Sequence, residues 1–196
     1  MAVIHPYVTD KFTAYEGDFF ITRLSLAVRL KDDYTEEKPA GHIKVVDMEE
    51  NIKAIKNRSG YYIFTDLAAG NHKISIISGI YFSQELTVNT SLLNPKDPVI
   101  DIILKPVPCY PFPSNATLIR GVISNPDPNM ISKLKIKAIE PKLETTTDEN
   151  GEFVLYFKNI KNKKITVEIR KNNLSKSVNT NLEEGKTRSL GKIIFP

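Results

Sequence analysis

The stretch Asn57-Arg58-Ser59-Gly60-Tyr61-Tyr62-Ile63-Phe64 recurs in altered form as Asp148-Glu149-Asn150-Gly151-Glu152-Phe153-Val154-Leu155. An ungapped shift of 91 places Ser59 on Asn150, Gly60 on Gly151, Tyr62 on Phe153 and Phe64 on Leu155. The same shift carries Ile43 and Val45 onto Leu134 and Ile136, and Asn71, Ile74 and Ile76 onto Asn162, Ile165 and Val167. It also carries Ile102-Ile103-Leu104 onto Ile193-Ile194-Phe195. A repeat of this length in a chain of 196 residues predicts one small β-domain written twice.

Working outward from the repeat, apolar side chains alternate with polar ones. Leu24, Leu26, Val28 and Leu30 alternate with Ser25 and Arg29; Leu134, Ile136 and Ala138 alternate with Lys133, Lys135 and Lys137. This period of two marks strands with one buried face. Gly60 and Gly151 sit where a hairpin needs a positive φ. Turn signals every eight to twelve residues or so predict a sandwich or barrel built from about seven short strands per copy, not a βαβ fold.

Between the copies lies Lys105-Pro106-Val107-Pro108-Cys109-Tyr110-Pro111-Phe112-Pro113. Its four prolines cannot donate to a sheet and favour extended geometry, which predicts a short, semi-rigid spacer. The predicted organisation is an N-terminal arm over residues 1–18, a first sandwich over 19–105, a linker over 106–115 and a second sandwich over 116–196. The arm is aromatic, with Tyr7, Phe12, Tyr15 and the adjoining Phe19 as candidate partner-docking residues. Side chains this apolar need a surface, either the arm's own domain or a neighbouring subunit.

Composition narrows the function classes. The apolar fraction of 41% and charged fraction of 26% suit a soluble globular chain. No run reaches the ~18 apolar residues that crossing a bilayer requires. The N-terminus has neither a basic n-region nor an apolar h-region, so synthesis without a signal peptide is expected, with release as part of an extracellular particle as one route outward. Cys109 is the only cysteine, which excludes an intrachain disulfide. The net charge of +4 is uneven: residues 1–107 carry 12 basic and 14 acidic side chains, and residues 108–196 carry 15 and 9. Such a surplus can assist docking on an acidic surface or simply decorate solvent-facing strands.

Catalytic constellations are wanting. His5, His42 and His72 fall in the arm, at a strand start and in a turn, apart from Cys109 in the linker. His42 and His72, with Asp47 or Asp66, are the nearest approach to a metal set, but no HxH or HxxxH spacing supports it. Asp148-Glu149-Asn150-Gly151 lacks the later ligands of a calcium loop and is better read as a hairpin turn. Lys161, Lys163, Lys164, Arg170 and Lys171 have no aromatic platform for bases, because alternation sends Phe157 to the core. No catalytic, cofactor-binding or metal residue is therefore assigned. The expected partners are other protein subunits, with no nucleic acid, membrane or small molecule.

The run Thr145 to Leu155, with Gly121-Val122 before it and Ile165-Thr166-Val167 after it, resembles the carboxypeptidase-regulatory-like, transthyretin-related β-sandwich. Asn57 to Phe64 with Leu67-Ala68-Ala69-Gly70-Asn71 is a looser second copy. The resemblance implies an all-β chain of two tandem immunoglobulin-like or prealbumin-like sandwiches with a spacing, bracing or docking role and no chemistry of its own. Arg23 to Leu30 and Ser59 to Tyr62 also resemble accessory proteins of phage-tail-like contractile injection systems. That likeness implies an adaptor at the cap or baseplate of such a particle. A surface module recognising a glycan or host protein is the alternative, and it predicts a concave aromatic patch around Tyr61, Tyr81 and Phe82.

Overall fold

The computed structural model describes residues 22–196, together with a small antiparallel ladder of β1 (Tyr7–Val8) and β2 (Thr13–Ala14). The first sandwich contains β3 (Leu24–Asp32), β4 (Ile43–Asp47), β5 (Ile52–Lys53), β6 (Ile55–Lys56), β7 (Tyr62–Thr65), β8 (Asn71–Ser78), β9 (Gln84–Asn89) and β10 (Val99–Leu104). Its sheets run β10-β3-β7-β6 and β5-β4-β8-β9. The second contains β11 (Thr117–Ser124), β12 (Lys135–Ala138), β13 (Leu143–Thr146), β14 (Glu152–Phe157), β15 (Lys163–Lys171), β16 (Leu174–Leu182) and β17 (Thr187–Ile194). Its sheets run β14-β11-β17 and β13-β12-β15-β16. The fold is all-β, and the only helices among the described residues are single 3-10 turns at Thr90–Leu92 and Pro128–Met130.

Alternation puts one apolar face of each sheet inside. Leu26, Val28, Tyr62, Phe64, Ile74 and Ile76 fill the first core; Ile119, Ile136, Phe153, Leu155, Val167 and Ile169 fill the second. In both copies the first and last strands pair in parallel, β3 with β10 and β11 with β17. The copies part at Ala54. There the chain leaves β4 for β7, its buried amide donating to Val45, so one strand serves both sheets; β13 stays with β12 alone.

The duplication is visible in the turns. Asn57 and Asp148 each accept an amide hydrogen bond on a side-chain oxygen, from Tyr61 at 2.9 Å and from Glu152 at 2.8 Å. Gly60 and Gly151 follow with φ of 94° and 78°. The ungapped alignment needs one correction. Val45 faces Ile76 and its counterpart Ile136 faces Ile169, so β8 corresponds to β15 at an offset of 93; Val28 and Gly121, facing Tyr62 and Phe153, give the same offset for β3 and β11. Ile74 and Ile76 therefore match Val167 and Ile169, not Ile165 and Val167. A slip of two preserves which face each side chain takes, and alternation alone cannot detect it.

Gly121 shows why its strand carries a glycine. A Cβ there would lie 2.8 Å from the Phe153 ring, so the bare backbone makes room for that aromatic.

Candidate functional site

The described residues concentrate their least expected chemistry where the two sandwiches meet. Asp32 ends β3, is 1% exposed, and turns the chain by accepting the Tyr34 amide at 2.7 Å and the Thr35 amide at 3.1 Å on one carboxylate oxygen. Its other oxygen accepts both the Tyr81 and Tyr110 hydroxyls at 2.6 Å. Charge-assisted bonds of this kind compensate a buried carboxylate for lost water. Burial, then the Asp32 hydrogen bond, pushes the Tyr110 phenol up to about 12 and raises that of Tyr81 further, so both remain donors.

Tyr110 belongs to the proline-rich segment, and Asp32 thereby anchors the linker to the first sandwich. Pro106 also bridges to Tyr81, and the Val107 amide donates to Ile80. From the far side, Arg120 of β11 donates to the Pro108 carbonyl at 2.5 Å and lies 5.6 Å from the Phe112 ring centre. Tyr34, Tyr110, Phe112 and Tyr156 form a chain of tilted and edge-on contacts 4.6 to 6.2 Å apart. The Tyr156 hydroxyl donates to Asp33, while Lys158 reaches Glu36 at 2.7 Å and the Asp33 carbonyl at 2.9 Å. The expected spacer is thus a packed joint, touched by both domains along its length. Its prolines keep it extended, but its aromatics determine where it lies.

A second polar cluster sits inside the first sandwich. His72 Nδ1 lies 2.6 Å from Asp47 Oδ2, and Nε2 lies 2.9 Å from the Ala68 carbonyl; His72 is 3% exposed and Asp47 0%. Both partners can only accept, so both ring nitrogens donate and the ring is an imidazolium. Burial alone would favour the neutral ring, but the bonds to Ala68 and Asp47 and the charges of Asp47 and Glu50 outweigh it and raise the pKa. Glu50 is 4.0 Å from Nδ1, which makes Asp47, Glu50 and His72 a possible ligand set by distance. The hydrogen-bonded ring, however, has no lone pair left for a metal. The cluster instead ties the end of β4 to the turn before β8.

The other sequence-derived candidates separate. His42 precedes β4 at the end opposite Asp47, and Asp66 accepts the Arg23 amide, so neither joins His72. Asp148 is used in its hairpin, its side chain accepting the amides of Asn150 and Glu152. Tyr81 is 1% exposed and bonded to Asp32, so the aromatic patch expected around Tyr61, Tyr81 and Phe82 does not form. Phe12, Tyr15 and Phe19 lie outside the described residues, as does the side chain of Tyr7. Read as sequence, Asp32, Asp33 and Tyr34 are an ordinary polar loop. The one signal for them is the set of aromatics interleaved with the linker prolines.

Side chains lace the edge strands in both copies. In the first, Gln84 of β9 donates to the Ile103 carbonyl of β10 and the Phe82 amide donates to Lys105. In the second, Lys176 of β16 donates to the Ile194 carbonyl of β17 at 2.6 Å and Arg188 of β17 donates to the Thr180 hydroxyl of β16 at 3.2 Å. There β16 is a nine-residue edge without proline, and β17 carries Gly191 at φ 63° and an Ile194 that is 70% exposed. A bulged, glycine-containing edge resists chance pairing, whereas a long regular one accepts a strand.

No family model matches the chain, and no curated protein does. Among solved structures it is similar to the TIE protein of Bacillus anthracis, with 13% identity and a TM-score of 0.32 over 87% of this chain and 34% of that one. The chain thus spans about a third of the length of the TIE protein chain. It is also similar to GBS52, the minor pilin in the Gram-positive pathogen Streptococcus agalactiae, with 8% identity and a TM-score of 0.31 over 88% of this chain and 97% of that one.

Proposed function

We propose that this chain is a non-enzymatic structural adaptor: a jointed pair of sandwiches that presents the β16 edge and its N-terminal arm to other protein subunits. The observation that carries this reading is the joint itself. Asp32, Tyr110, Phe112, Arg120 and Tyr156 hold the linker against both domains, as a part that must transmit position requires. Among the described residues β16 has a strand on one side only, β15, and strand addition is the docking mode this geometry favours.

The narrower place for such an adaptor, the cap or baseplate of a phage-tail-like contractile particle, rests on the resemblance of Arg23 to Leu30 and Ser59 to Tyr62. Release as part of such a particle would carry the protein outside the cell. Sizing the native protein from its source cells tests the adaptor reading. Elution with a large assembly is expected, and a free monomer under all conditions would overturn it. Deleting residues 1–18 is expected to abolish that assembly while both sandwiches stay folded. Purified tail-like particles that contain the chain would support the narrower placement, and particles without it would remove it.

A further inference from the structure

The nine residues of β16, Leu174-Ser175-Lys176-Ser177-Val178-Asn179-Thr180-Asn181-Leu182, have nearly the same pattern from either end. About Val178 the strand sets Leu174 against Leu182, Ser175 against Asn181, Lys176 against Thr180 and Ser177 against Asn179. It pairs with β15 without a register break, and among the described residues no strand lies on its other side. Other edges carry features that discourage pairing: β9 an exposed Glu85, β10 an exposed Asp101, β13 a Glu144 within only four residues, and β17 the left-handed Gly191.

The backbone phase of β16 suits a copy of itself. The Ile139 amide, continuing the β12 ladder, donates to the Thr166 carbonyl at 3.1 Å, so even-numbered residues of β15 turn their backbone groups to β12 and odd-numbered ones turn theirs to β16. Val167 lies opposite Val178 and Thr166 opposite Asn179. Val178 and the other even-numbered residues of β16 therefore bond to β15. Ser175, Ser177, Asn179 and Asn181 direct their amides and carbonyls to the open side, and they are placed symmetrically about Val178.

We propose that β16 pairs antiparallel with β16 of a second copy of this chain, about a two-fold axis at Val178, joining two four-stranded sheets into one. This names the occupant of the edge, and it rests on the adaptor reading that β16 docks a strand. Ser177 exchanges backbone hydrogen bonds with Asn179 of the second copy and Ser175 with Asn181, roughly eight bonds across the seam. On the outer face, the Asn179 side-chain oxygen accepts the Thr166 hydroxyl at 2.7 Å, which leaves its amide nitrogen to donate to Ser177 of the second copy. On the inner face, Val178 meets its own counterpart, and Leu174, 40% exposed in the single chain, meets Leu182. Lys176 is the one charge on the strand. Its ammonium is held by the Ile194 carbonyl, and the pairing sets it against Thr180, with the two lysines about 14 Å apart along the seam. That separation exceeds the screening length of about 8 Å at physiological salt.

The purified full-length protein is expected to sediment at twice the mass of the chain. Cysteine cross-linking reads the register. With the exposed Cys109 replaced by serine, Val178→Cys places two thiols across a non-hydrogen-bonded pair whose Cα atoms lie about 4.5 Å apart, within disulfide reach. Mild oxidation should link this variant roughly tenfold faster, or more, than Asn181→Cys in the same background, where the two Cα atoms lie about 20 Å apart. Equal rates, or a monomer at every concentration, would overturn the proposal. A pure chain that is monomeric yet elutes with a large assembly from its source cells would put an unlike subunit on the edge and leave the adaptor reading standing. A Val178-linked dimer that joins no larger assembly would keep the seam and remove the adaptor.

Discussion

The two sandwiches answer one packing problem differently. Asp47 and His72 of the first occupy the places that Ala138 and Ile165 occupy in the second, on strands paired in the same register. One copy closes this corner with a buried ion pair tied to a backbone carbonyl, the other with hydrocarbon. Asp32 and Asn125 form a second such pair. Each turns the chain by accepting the amide two residues on, at 2.7 Å and 2.8 Å, but only the carboxylate also gathers two tyrosine hydroxyls. The fold thus tolerates either solution: at Asp32 the polar one holds the linker, and at Asp47 it ties the end of β4 to the turn before β8.

Exchanging these solutions tests the comparison, and the largest effect is expected at the ion pair. Asp47→Ala leaves the buried imidazolium without its counter-charge and should destabilise the protein by about 3–5 kcal/mol in urea unfolding. Asp47→Ala with His72→Ile, which copies the second sandwich, should recover most of that loss. Failure to recover would show that the two corners are not equivalent.

The hairpin glycines come next. Gly60→Ala should cost about 1–2 kcal/mol from left-handed strain alone, since the added methyl meets only the flexible Lys38 chain. Gly151→Ala should cost more, about 3 kcal/mol, because the new Cβ would lie 2.6 Å from the Ile123 carbonyl oxygen. Equal losses would mean that the second hairpin relaxes freely.

Tyr110→Phe removes one of two hydroxyls from Asp32 and should cost about 1.5–3 kcal/mol. It should also broaden the distribution of inter-domain distances seen by small-angle scattering. An unchanged distribution would assign the hold to the aromatic contacts and Arg120.

The smallest effect follows from the raised His72 pKa. A folded-state pKa above the unfolded value stabilises most at low pH and loses that contribution as pH rises through the folded value. Unfolding midpoints should therefore decline as pH is raised from about 6.5, the ordinary histidine value. The Asp47→Ala/His72→Ile variant should lack this decline.

Much of the fold is legible in the sequence because alternation and turn chemistry are local. Gly60, Gly151 and the apolar runs around them declare strands and hairpins from neighbouring residues alone. The two-residue offset of β3 and β8 escapes because an even slip leaves the pattern unchanged. The joint escapes for a different reason. Tyr156 meets Asp33, and Tyr110 meets Asp32, across 123 and 78 residues, and nothing in either local sequence marks a partner that distant. Prolines announce an extended segment, but whether such a segment floats or packs depends on surfaces that exist only after both sandwiches have formed.

The parallel pairing of first and last strands has a mechanical consequence. Chain direction along β3 and β10, or β11 and β17, carries the backbone in at one pole of a sandwich and out at the other. Tension pulling the ends apart therefore loads six aligned residue pairs of each ladder in shear, together, where a hairpin would peel open one bond at a time.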